Sequence, residues 1–75
     1  MNKARRQQLA KWLQDLEEIK GELENICSDE EEYFDNMPEN LQGSQRGMDA
    51  EEAIDIMNEA VSSLEDAISV IEDIV

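Results

Sequence analysis

Histidine is absent from this 75-residue chain, and cysteine and proline occur once each, as Cys27 and Pro38. One thiol excludes an internal disulfide, and without histidine no structural zinc set can be assembled. Bases are scarce, with 6 Lys and Arg against 20 Asp and Glu, a net charge of −14. That balance disfavours direct binding to nucleic acid or to an anionic membrane surface. No apolar run reaches the length of a membrane span, and the polar, basic start MNKARRQQLA has no signal-peptide core. The expected setting is the cytoplasm, and the lone thiol suits a reducing compartment. A chain this short buries only about 60% of its unfolded surface and calls for a staple. With disulfide and metal excluded, oligomerisation is the staple that remains.

What is present is heptad periodicity. Residues 52–75 repeat a phrase of acid, alanine and β-branched residue, with an apolar seam at Ile54, Met57, Val61, Leu64, Ile68, Ile71 and Val75. The alternating 3 and 4 spacing is that of a helix packed on a partner helix. The first half carries a matching seam, Leu9, Trp12, Leu16, Ile19, Leu23 and Ile26, with Leu13 and Cys27 widening its flank. The 40% apolar content and the strict heptad argue against the disorder that high charge otherwise favours.

Boundaries follow from local chemistry. Asn2 is placed to cap a first helix over about 3–35. Ser28 and Glu31 match a capping box, so that helix either runs through or restarts near Cys27. Pro38 ends it and suits the opening of one short turn to Gln42, with Gly43 as the residue after that turn. A connector over about 36–47 leads to a second helix over about 48–74, for which Ser44 or Asp49 is a candidate cap. Gly21 is read as a tolerated, exposed glycine in the helix interior. The short connector makes the two helices antiparallel, which sets Lys3, Arg5 and Arg6 beside Glu65, Asp66, Glu72 and Asp73. The expected fold is an all-α, antiparallel two-helix hairpin forming one domain.

The second helix has more apolar surface than one partner covers. Ala53, Ala60, Ala67 and Ile74 run beside its seam, with Ile56 and Val70 further round. These residues are the expected oligomer interface, and the simplest closed assembly is a homodimeric four-helix bundle.

No catalytic constellation is found. The acidic run Asp29–Glu32 does not match a calcium loop, the serines have no base partner, and there is no glycine-rich phosphate loop. The reading is therefore no enzyme, no cofactor and no specific metal site. Cys27 and Trp12 are read as packed apolar residues. The connector is the candidate binding region: Tyr33, Phe34, Asn36, Met37, Asn40, Gln42, Gln45 and Arg46 gather aromatics, amides and a lone base. Arg46 either faces an anion or pairs with Asp35 or Glu39.

The string DEEEYFDNMPENLQGSQRG, followed by acidic heptads, resembles a group of small acidic proteins from bacterial viruses and prophages. Its most specific part here is Asp35-Asn36-Met37-Pro38-Glu39-Asn40-Leu41-Gln42. The resemblance covers most of the chain and implies a phage or prophage setting, with no catalytic residues to carry over. The expected function is an oligomeric acidic protein that binds or inhibits a host protein with a basic surface, with nucleic-acid mimicry or an anti-defence role as specific forms. Two alternatives stand: sequestration of an anionic nucleotide by Arg46 with Tyr33, or by Lys3, Arg5 and Arg6, and a part in virion assembly or scaffolding.

Overall fold

The computed structural model describes all 75 residues, Met1–Val75. It is a helical hairpin, α1 (Lys3–Asp35), α2 (Glu39–Gln42) and α3 (Gln45–Glu72), drawn out into a rod of 58 × 14 × 13 Å. α1 is continuous through Ser28, so the internal capping box is not used. The side chain of Asn2 caps it by accepting the Arg5 amide at 2.8 Å.

The turn is built from local polar groups. α1 closes at Asn36, whose amide reaches the Glu32 carbonyl at 3.0 Å. Pro38 then opens α2, and its carbonyl accepts the amides of Leu41 and Gln42 at 2.8 and 3.2 Å. The Gln42 side-chain amide reaches back to the carbonyls of Phe34 and Met37, 3.3 Å each, and ties α2 to the end of α1. Gly43 is not the left-handed residue that a glycine after a helix usually supplies. Its φ is −84°, and the turn closes instead through the Ser44 amide on the Leu41 carbonyl at 3.0 Å.

Ser44 caps α3, accepting the Gly47 amide at 3.4 Å. α3 therefore takes in Gln45, Arg46 and Gly47, residues expected in the connector, and its regular part stops at Glu72 rather than 74. Asp49 does not act as a cap; it accepts the Gln45 side-chain amide at 2.7 Å, one turn inside the helix. Gly47 is buried, and a methyl group there would run into the Gln42 backbone. Glycine is required at this position because α2 and α3 pack backbone to backbone.

The seam of α3 is Gly47, Ala50, Ile54, Met57, Val61, Leu64, Ile68 and Ile71, all buried or half-buried. The seam of α1 is displaced by one position from the expected one. The residues turned toward α3 are Leu9, Leu13, Leu16, Lys20, Leu23, Cys27, Glu30 and Phe34. Trp12, Ile19, Ile26 and Tyr33 instead remain 54, 51, 57 and 47% exposed. Both sets are heptads that share Leu9, Leu16 and Leu23. The side α1 turns to α3 selects the set containing Lys20 and Glu30.

The core is thin. Cys27, Ala50 and Ile68 are its only buried apolar side chains. Lys20 spans the seam and bridges to Glu65 at 3.4 Å, the one ion pair of the chain. The amino-terminal bases Lys3, Arg5 and Arg6 form no ion pair with the acids at the end of α3. The register that joins Lys20 to Glu65 carries them past the end of α3, so they do not lie beside those acids, contrary to what the short connector implies.

Candidate functional site

The two edges of the seam differ in chemistry. In an antiparallel pair, the positions just before the first seam residue of each heptad lie together on one edge, and those just after the second lie together on the other. On the first edge α1 places Arg5, Trp12, Ile19, Ile26 and Tyr33, and α3 places Arg46, Ala53, Ala60, Ala67 and Ile74. On the second edge α1 places Glu17, Glu24 and Glu31, preceded by Lys3 and Ala10 at its start, and α3 places Glu51, Asn58, Glu65 and Glu72. Contacts confirm the sorting. Lys20 meets Glu65 and Cys27 meets Asn58 across the second edge. Tyr33 and Arg46 line common clefts on the first. The hairpin thus has one apolar and one acidic edge.

Cys27 sits beneath the acidic edge. Its thiol lies 3.7 Å from the Glu31 carboxylate and 3.5 Å from the Asn58 side-chain oxygen, and can donate to either. Burial, followed by the charge and hydrogen bond of Glu31, pushes its pKa above the ordinary thiol value. The protonated, unreactive form is favoured.

At the connector end, a cleft of about 370 Å³ is lined by Tyr33, Asn36, Met37, Pro38, Leu41, Ser44 and Arg46. Four of the eight connector candidates, Tyr33, Asn36, Met37 and Arg46, come together there. The others do not. Phe34 is half-buried at the end of the seam, Gln42 and Gln45 are engaged in the internal hydrogen bonds described above, and Asn40 is exposed outside the cleft. Arg46 makes no ion pair with Asp35 or Glu39. Its neighbours in the adjoining cleft are Glu30, Tyr33, Asp49 and Ala50.

Of the six residues expected at an oligomer interface, Ala53 and Ala60 are half-buried, and Ile56, Ala67, Val70 and Ile74 are exposed. The matching row on α1, Trp12, Ile19 and Ile26, stands outside the intramolecular seam it is expected to form; the signal is the second heptad, in which Leu13, Lys20 and Cys27 take their places.

No group of three or more His, Cys, Asp or Glu side chains is arranged to hold a metal ion. No helix is long and apolar enough to cross a membrane. Comparison with known protein families, curated proteins and solved structures finds no match.

Proposed function

We propose that this chain is a non-enzymatic acidic binding protein of phage or prophage origin. It pairs into a four-helix bundle and engages a basic surface on a host protein in the host cytoplasm. The observation that carries the reading is the division of the hairpin into two edges. Glu17, Glu24 and Glu31 stand one heptad apart on α1, about 10 Å per step, with Glu51 and Glu65 across the edge on α3, Glu65 also held by Lys20. Fixed rows of carboxylates on a stiff rod repel nucleic acid and attract a basic groove. That is the pattern a nucleic-acid mimic needs, and a nuclease or defence complex is the kind of partner it fits.

The test is salt-dependent capture from host extract with the immobilised protein, beside a triple variant Glu17→Gln, Glu24→Gln, Glu31→Gln. A basic protein retained at low salt, released at high salt and lost from the variant is expected, with no shift of duplex DNA. Equal retention by the variant overturns the reading.

The connector cleft supports a second reading, binding of an anionic nucleotide, because Arg46 faces it without an ion-pair partner. Calorimetry against a nucleotide panel tests this. Heats that persist unchanged in Arg46→Ala rule out this cleft as the site.

A further inference from the structure

The apolar edge is a continuous strip contributed by both long helices. The register that joins Lys20 to Glu65 and Cys27 to Asn58 sets Ile19 beside Ala67 and Ile26 beside Ala60. Tyr33 then lies by Ala53, and Trp12 by Ile74. The strip is also symmetric about its own centre. On α1 the midpoint falls between Ile19 and Ile26, with Trp12 and Tyr33 outside them. On α3 it falls between Ala60 and Ala67, and the adjoining row has Ile56 and Val70 equally spaced about Ser63. The two midpoints lie side by side in the hairpin register.

We propose that this strip is the interface with a second copy, and that the two hairpins stack head to tail about a two-fold axis crossing the rod. α1 then runs antiparallel over the partner's α1, and α3 over the partner's α3. Trp12 packs against the partner's Tyr33, Ile19 against the partner's Ile26, and Ile56 against the partner's Val70. Ser63 lies at the axis. The proposal rests on the reading that the chain self-associates through the α3 face, and adds to it the α1 row and the direction.

Area and charge both argue for it. Trp12, Ile19, Ile26, Tyr33, Ile56, Val70 and Ile74 keep between 42 and 64% of their surface exposed. Taking on the order of 150–250 Å² for a large side chain, the exposed parts sum to roughly 700 Å², against the roughly 800 Å² per partner of a standard stable interface. Charge sets the direction. Residues 24–60, at the connector end, hold twelve acids and only one base, Arg46. The opposite end, residues 1–18 and 66–75, holds four bases, Lys3, Arg5, Arg6 and Lys11, against six acids. A head-to-head stack would bring two strongly acidic ends together. A head-to-tail stack lays each acidic end along the partner's basic helix start, with Lys11 close to the level of the partner's Asp35.

The chain carries its own optical ruler, since Trp12 and Tyr33 are its only tryptophan and tyrosine. Both lie on α1, 21 residues apart, a separation of about 30 Å that is too long for efficient energy transfer within one chain. A head-to-head pair keeps that separation, whereas a head-to-tail pair brings each ring onto the partner's. The experiment measures sedimentation mass together with tyrosine-to-tryptophan transfer on the unmodified protein. Twice the 8.6 kDa chain mass is expected, with strong transfer that disappears on dilution. In Ile19→Glu, the mass should halve and the transfer be lost while helical circular dichroism at low temperature persists. A dimer without transfer overturns the head-to-tail arrangement and leaves self-association standing. A monomer at tens of micromolar overturns both.

Discussion

The backbone of Gly47 lies directly against that of Gln42, with no room for a side chain between them. This contact fixes how the turn meets α3, and it sets two of the three glycines of the chain in contrast. Gly21 lies mid-helix with nothing within 4 Å of where a methyl group would stand. Gly21→Ala should therefore stabilise the fold by about 1 kcal/mol, the ordinary difference in helix propensity. Gly47→Ala should destabilise it by about 1–3 kcal/mol, the usual cost of forcing atoms into a packed site. Urea unfolding of the two variants reads opposite shifts of midpoint. A neutral Gly47→Ala would show that the α2–α3 approach is loose.

Lys20 occupies a seam position between Leu16 and Leu23, with its amine carried out to Glu65. The pair is partly open to water, so its loss alone should cost no more than about 1 kcal/mol. The stem of Lys20 already covers apolar surface. Lys20→Leu fills the seam without the ion pair and should raise stability by about 1 kcal/mol. It should also loosen the register, since polar seam residues select one alignment at some cost in stability. A higher unfolding midpoint with broadened amide resonances is the expected pair of results. A lower midpoint would mean that the ion pair outweighs the apolar gain.

Cys27 should resist thiol reagents. Its pKa is raised, so the folded chain holds the thiol proton more tightly than the unfolded chain does. The associated stability is complete below the unfolded thiol pKa, roughly 8.5, and is lost as pH climbs through the higher folded value. Alkylation at pH 8 should thus proceed only through opening of the hairpin and accelerate with added urea. Cys27→Ala should flatten the alkaline fall in stability. Rapid labelling of the folded chain at pH 8 would contradict the burial of the thiol.

Salt should stabilise the protein. With a net charge of −14 on a rod only 14 Å across, repulsion between carboxylates outweighs the single ion pair. Screening shortens the reach of that repulsion from about 30 Å at 0.01 M salt to about 8 Å at 0.15 M. The melting temperature should rise over that range, and scanning calorimetry at fixed protein concentration checks it. A fall would place the balance with attractive charge pairs.

Features set by neighbours in the chain were legible in the sequence. The caps Asn2 and Ser44 and the turn at Pro38 depend on residues within four positions, and each forms where local chemistry puts it. The α1 seam was harder to read. Leu9, Leu16 and Leu23 belong to two heptads at once, and the one with Trp12, Ile19 and Ile26 carries more apolar bulk. Which of the two faces α3 depends on how the hairpin closes, and the closure leaves the bulkier row outside. The need for glycine at position 47 was hidden for a similar reason, since it arises from the path of α2. Of the connector candidates, Gln42 and Gln45 look like free amides in sequence and are structural ties in the fold.

The acidic edge lies across the seam from the apolar one, and that placement has a consequence for valency. Any pairing through the apolar strip turns the two acidic edges outward, away from each other. The assembly then offers two separate docking lines on one stiff body. Targets with a single basic groove would be held two to each paired assembly, one per chain. A target with repeated grooves, or a surface crowded with copies, would be held with the gain that comes from raised effective concentration, provided the geometry lets both lines engage at once. Dilution of the chain would then weaken its grip more steeply than one-site binding allows.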